Sequence, residues 1–243
     1  MRLHVVNPNT TASMTTKIAA AARAIALPDT LIDARQPTMG PVSIEGFYDE
    51  AFAVPGMLGC IREADCDGAD AHIIACFDDT GLDAARAVAK APVIGIGEAA
   101  FHTASLIAAR FAVVTTLSVS IVPIEHNLKK YGLAGRCARV RAADVPVLAL
   151  EERNNEALAK ISAEITAAMR DDRAEAIVLG CAGMADLAAE LAEKHGLPVV
   201  DGVTAAVTLA EGLVRLGLET SRLGPYAEPR SKPYSGLFSP FQP

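Results

Sequence analysis

Apolar and polar positions along the chain alternate between two patterns. Short continuous apolar runs at Leu3–Val6, Leu31–Asp33, His72–Cys76, Val93–Ile96, Phe111–Thr115, Arg139–Ala142, Ile177–Cys181 and Val199–Asp201 predict strands. Alanine-rich segments of helical period lie between them, over Met14–Ile25, Glu50–Ala64, Asp83–Ala89, Ala99–Ala109, Ile121–Tyr131, Glu151–Met169, Ala185–Lys194 and Ala205–Leu216. Strands without a polar face, each followed by a helix, predict parallel sheets covered on both sides. Eight such units would also suit a single closed barrel.

An internal repeat argues against the barrel. The stretch ADAHIIACFDDTGLDAARAVAKAPVIGIGEAA (Ala69–Ala100) resembles AEAIVLGCAGMADLAAELAEKHGLPVVDGVTAA (Ala174–Ala206). In each, a strand ends in Cys, a small turn and an Ala/Leu helix follow, and Pro92 or Pro198 comes 16 or 17 positions after the cysteine. The pattern predicts an α/β fold of two pseudosymmetric, Rossmann-like subdomains, each a roughly four-stranded, mostly parallel sheet. Residues 1–97 with 205–243 form the first and 98–204 the second, the last helix crossing back. The Pro-, Ser- and Gly-rich tail after Leu223 reads as an extended arm.

Composition narrows the function. The chain has 243 residues, about half hydrophobic, with a net charge of -7 and a pI near 5.3. It carries no Lys/Arg-rich run to bind nucleic acid or anionic lipid. No apolar stretch approaches the roughly 20 residues that span a bilayer. The opening MRLHVVNPNT does not read as a signal peptide, which gives a cytoplasmic address. Five cysteines without a C-x-x-C pair or a Cys/His cluster predict free thiols and no metal site.

Cys76 and Cys181 occupy equivalent strand-to-helix junctions, where ligands bind in parallel α/β sheets and where a helix N-terminus would favour a thiolate. Either cysteine alone reads as readily as a small packing hydrophobe. As repeat mates, facing each other across a cleft, they would approach one ligand from opposite sides. That suits racemisation, in which a base removes a proton from one face of a carbon and an acid returns one to the other. A thiol, with an ordinary pKa of roughly 8.5, suits both roles. No lysine context of pyridoxal type is evident, so no cofactor is expected.

NPNT (Asn7–Thr10), MGPVSIEGFYDEA (Met39–Ala51), IIACFDD (Ile73–Asp79), FAVVTT (Phe111–Thr116) and IVLGCAGM (Ile177–Met184) together resemble the hydantoin racemase family, which includes allantoin racemases and belongs to the aspartate/glutamate racemase superfamily. The resemblance runs from about residue 3 to 215. It implies an active site in the cleft between the domains, two-base catalysis by Cys76 and Cys181 on a small molecule, and a homo-oligomer. It also implies substrate contacts from Asn9, from Pro41, Val42 and Ser43, from Phe77, Asp78 and Asp79, and from Thr116 and Ser118. Ala182 and Gly183 would present backbone N–H groups to an enolate oxygen. NPNT reads equally as an Asn-Pro turn with a threonine helix cap, and Asp78 and Asp79 as helix N-terminal acids, at least one of them turned away from the thiol. Glu45 and Tyr48 are not distinguished from surface residues, and His72 reads as a core histidine.

The chain lacks the Thr-His pair that follows the second cysteine in glutamate racemases, and the acidic, serine-containing loop of their first strand. A site without those partners suits a neutral cyclic ureide better than a zwitterion. Gly97-Glu98 and the GPVSIEG loop favour a polar substituent such as that of allantoin over an alkyl or aryl group. Alternatives are another superfamily activity (amino-acid racemase, maleate isomerase or arylmalonate decarboxylase) or a non-catalytic two-lobed metabolite-binding protein.

Overall fold

In a computed structural model describing residues 1–150 and 155–243, each of the eight apolar runs is a strand and each is followed by a helix. The first half comprises β1 (Arg2–Val6), α1 (Ala12–Ile25), β2 (Leu31–Arg35), α2 (Phe47–Cys66), β3 (Ala71–Ile74), α3 (Leu82–Val88), β4 (Val93–Gly95) and α4 (Ile96–Ile107). The second comprises β5 (Phe111–Thr115), α5 (Ile121–Lys130), β6 (Cys137–Ala142), α6 (Asn155–Asp171), β7 (Ala176–Gly180), α7 (Ala188–His195), β8 (Val199–Asp201) and α8 (Gly202–Arg215). The expected start of the sixth helix, Glu151, lies outside the described residues.

The strands form two open, all-parallel sheets in place of a barrel, ordered β2-β1-β3-β4 and β6-β5-β7-β8. The two orders superpose, and so do their details. His72 donates its N–H to Pro92 O at 2.8 Å, and Ile177 donates to Pro198 O at 2.9 Å, so the two repeat prolines serve one joint. A continuous core joins the sheets. Leu3, Val5 and Ile73 of the first and Val113 and Val178 of the second pack with Phe101 and Ala104 of α4 and Val203, Ala206 and Ala210 of α8. The outer faces are closed by α2, through Met57 and Ile61, and by α6, through Ile161 and Ile165 at helical spacing.

The structure adds detail to the expected elements. Helix α4 starts at Ile96, three residues early, because its first N–H groups are capped from elsewhere in the chain, as described below. The helix expected from Ala185 is divided into a 3₁₀ helix, Ala182–Leu187, and α7. The tail is extended but pinned. Arg222 donates to carbonyl oxygens of Arg86 and Lys90 at 3.2 and 3.3 Å, Tyr226 OH donates to Asp83 at 2.8 Å, and two 3₁₀ turns form at Gly224–Tyr226 and Gly236–Phe241. His72 is a buried strand residue whose ring pairs with His4 (Nδ1 to Nδ1, 3.0 Å) and Asp65 (2.9 Å). Among the described residues no helix is long and apolar enough to cross a membrane.

Candidate active site

Cys76 follows β3 and Cys181 follows β7, the same strand of each sheet, and both line one small cavity at the carboxyl ends of the strands. The local geometry repeats. In each, the backbone N–H two positions on, that of Asp78 for Cys76 and of Gly183 for Cys181, lies near the thiol and favours its ionised form. Thr80 Oγ1 adds a second donor to Cys76 Sγ at 3.3 Å.

The electrostatics correct the expectation of stabilised thiolates. Burial pushes the Cys181 thiol up to about 11, with the Gly183 N–H and Lys17 pulling it down and Asp78 pushing it further up. Cys76 is pushed higher still by burial and then by Asp78, against the pull of Thr80 and the Asp78 N–H. The reason is structural. No α-helix starts at either cysteine, since α3 begins only at Leu82 and a 3₁₀ helix follows Cys181. The helix-terminus effect is worth roughly 1 kcal/mol and is outweighed by desolvation.

The NPNT segment forms one cavity wall through Asn7, Pro8 and Asn9. Asn7 and Asn9 are both buried, and Asn7 Nδ2 donates to Asn9 Oδ1 (2.9 Å) and Thr15 Oγ1 (3.1 Å). Asn9 Oδ1 also accepts the Thr11 N–H at 2.9 Å, while its Nδ2 faces the Met14 sulfur at 3.5 Å. Asn9 therefore spends its acceptor within the turn and keeps an N–H₂ group for a ligand oxygen. Thr11 stands at the helix-capping position, with no side-chain cap.

Of the other expected contacts, Phe77, Asp78, Thr116 and Ala182 line the cavity. Burial, then Glu50 and Asp79, push the Asp78 carboxyl up to about 7, and its one side-chain donor, Ser120 Oγ, is distant at 3.4 Å. Pro41, Val42, Ser43, Asp79, Ser118 and Gly183 do not line it. Pro41 and Val42 give their carbonyls to Thr10 and Thr11, and Ser43 donates to Glu45 at 3.4 Å. Their loop reaches the cavity through Ile44. Ser118 is exposed at the start of a 3₁₀ turn that carries Ser120 inward instead. The Gly183 N–H faces Cys181, and Asp79 is buried behind the loop. Glu45 accepts the Val147 N–H at 3.4 Å across the cleft, Tyr48 is exposed, and Glu98 is held outside by Arg86 at 2.5 Å.

Met14, Ile44 and Val147 complete the lining, with Ala75 and Gly180 from the strand ends. Sequence reasoning passed over these apolar residues because they carry no polar signal. Asn7 and Pro8 belong to a motif it did single out. All five cysteines are free, and among the described residues no group of three or more His, Cys, Asp or Glu is placed to hold a metal ion.

The Asp/Glu/Hydantoin racemase family model matches residues 3–210. The hydantoin racemase of Rhizobium meliloti is 50% identical over 236 residues, covering 97% of this chain and 98% of that protein. Among solved structures, an allantoin racemase from Klebsiella pneumoniae superposes with a TM-score of 0.97 at 48% identity, covering 100% of this chain and 99% of that one. The allantoin racemase of Pseudomonas fluorescens gives 0.94 at 44% identity, with 97% and 100% covered. With two parallel sheets that each bring a cysteine to one cavity, and a family match over residues 3–210, the chain belongs to the Asp/Glu/hydantoin racemase family.

Proposed function

We propose that the protein is a cofactor-independent racemase of 5-monosubstituted hydantoins, with allantoin the favoured substrate, and that Cys76 and Cys181 are its two bases. The observation that carries this reading is that the two repeat-related thiols line a single cavity. One thiolate takes the C5 proton and the electron pair moves onto the C4 carbonyl oxygen. The other thiol then delivers a proton to the opposite face of C5 as the enolate collapses. Asn9 Nδ2 supplies a donor for a ring carbonyl, where it gains most as negative charge develops. The lobes, 1–97 with 205–243 and 98–204, each contribute one base. A homo-oligomer belongs to the same reading, supported by exposed Phe47, Tyr48 and Phe52 on α2. A cytoplasmic setting is supported by the five free thiols.

The substituent preference rests on Asp78. A largely buried carboxyl with one long hydrogen bond gains from N–H donors, which the ureido arm of allantoin offers and an alkyl group does not. Asp78→Asn is therefore expected to lower kcat/KM for (S)-allantoin by about tenfold or more while leaving that for 5-isopropylhydantoin within about twofold. Polarimetric initial rates on the two substrates check it, and an equal loss on both would remove Asp78 from the choice of substituent. In the wild type, racemisation of neither substrate would contradict the proposed activity itself.

The raised thiols also give a pH dependence. With Cys181 at about 11 in the free protein, its base form is the minor species at neutrality and grows as pH rises, while Cys76, higher still, stays protonated as the acid. Above the Asp78 transition near 7, log kcat/KM is expected to climb with a slope near 1 from about pH 7.5 to about 8.5. A flat profile over that range would mean that no thiol titrates above it.

A further inference from the structure

Asp79 sits three residues after Cys76 and is buried, yet it does not line the cavity. Its backbone is left-handed, with φ near 50°, a conformation rare for a residue other than glycine. Its N–H donates to Cys76 O at 3.0 Å, closing the turn that carries the thiol. Its carboxylate accepts three hydrogen bonds, from Gly97 N at 2.9 Å, Glu98 N at 2.8 Å and Tyr131 OH at 2.7 Å. The first two are the free N–H groups of α4, capped from 18 residues away. The third comes from the C-cap residue just after α5, in the half that carries Cys181.

The surroundings are built around this carboxylate. A Cβ at Gly95 would lie 2.0 Å from Asp79 Oδ1, and one at Gly97 would lie 2.3 Å from Phe77 O. One helical turn before Tyr131, Asn127 Nδ2 donates to Asp78 O at 2.7 Å, so α5 holds the cysteine loop at two successive points.

We propose that Asp79 and Tyr131 form a positioning clamp that fixes the Cys76 loop against the opposite half of the protein, and so sets Cys76 relative to Cys181. The clamp rests on the two-base reading for its catalytic consequence but not for its geometry. The second loop is held by different groups, with Met184 N–H donating to Cys181 O at 3.1 Å and Asp186 paired to Lys17 of α1 at 3.0 Å, and neither Asp79 nor Tyr131 takes part. Loosening the clamp therefore disturbs one thiol and spares the other.

Tyr131→Phe removes a single hydroxyl and keeps the ring that packs beside Phe101. In a Cys181→Ser background, where Cys76 is the remaining base, adding Tyr131→Phe is expected to slow solvent-deuterium exchange at C5 of allantoin by about tenfold or more, since small misplacements of a reacting group cost that much. In a Cys76→Ser background the same change is expected to stay within about twofold. The second measurement is site-resolved alkylation of the otherwise wild-type protein by iodoacetamide, which needs no catalysis. Tyr131→Phe should change the Cys76 rate by about fivefold or more and leave Cys181 within about twofold. Equal effects on both thiols, or none on Cys76, overturn the clamp. Absence of exchange in both single-cysteine backgrounds overturns the two-base reading instead, and alkylation still decides the clamp.

Discussion

Cys76→Ser and Cys181→Ser are each expected to reduce racemisation of (S)-allantoin by about 10³-fold or more, because general acid–base groups contribute on that scale and a serine hydroxyl is far too weak an acid and base to substitute for a thiol. The losses are expected to be alike although the two sites differ electrostatically, because inversion uses both groups once per turnover. Removal of both should cost little beyond removal of either, as for any pair that acts as a unit. Cys66→Ser, at an exposed thiol far down α2, provides the control and should leave the rate unchanged. Optical rotation followed from an enantiopure solution gives all four values. Retention of more than about a tenth of the activity in either single variant is outside what the two-base mechanism allows.

A large effect on stability is expected at the start of α8. This helix crosses back from the second sheet to pack with α1 and α4, and its first residue, Gly202, lies directly on the first residue of α4. A Cβ there would meet Ile96 O at 2.5 Å and Ile96 Cβ at 2.9 Å, and backbone cannot move aside as a flexible side chain does. Gly202→Ala is expected to destabilise the protein by about 1–3 kcal/mol through overpacking of the core that joins the two sheets. Gly212 lies ten residues further along the same helix with no atom near the place a Cβ would occupy. Gly212→Ala should stabilise by about 0.5–1 kcal/mol, because alanine loses less backbone entropy in a helix. Urea unfolding of the pair separates the two causes. If both substitutions shift the midpoint in the same direction, the Gly202–Ile96 contact is not what limits the site.

The sheets were readable in the chain because each central strand is apolar on both faces, as in Ile73-Ile74 and Ile177-Val178-Leu179, and only a parallel sheet covered by helices asks for that. The pairing of Cys76 with Cys181 was readable because the repeat brings its prolines as well as its cysteines into register. Other features depend on contacts distant in sequence. The start of α4 is set by the Asp79 carboxylate, so no local cap residue marked it, and the same contact draws Asp79 away from the cavity. The choice of Ser120 over Ser118 follows from one 3₁₀ turn that the run LSVS does not announce. Met14, Ile44 and Val147 meet at the cavity from three separate segments, and an apolar residue gives no chemical sign of its place. The ionisation of the thiols was misjudged for a related reason, because position at a strand end can be read from sequence whereas desolvation, which dominates here, depends on the whole surrounding wall.

The electrostatic difference between the halves gives the cavity a direction. The carboxyl of Asp78 pushes both thiols up, and Lys17 pulls Cys181 back down from α1, where its ammonium is also held by Asp186 at 3.0 Å and Leu150 O at 3.0 Å. The Cys181 thiolate is therefore the less disfavoured of the two in the free protein, which in the proposed mechanism would leave Cys76 as the acid.

The most direct measurement of the two-base mechanism is deuterium incorporation at C5 when pure (S)- and pure (R)-allantoin are each incubated in deuterated water with Cys76→Ser and with Cys181→Ser, read by proton NMR above the spontaneous rate. Each variant should exchange the C5 proton of one enantiomer only, without inverting it, and the two variants should select opposite enantiomers. Exchange of the same enantiomer by both variants, or of both enantiomers by either one, would contradict two thiols acting on opposite faces of one carbon.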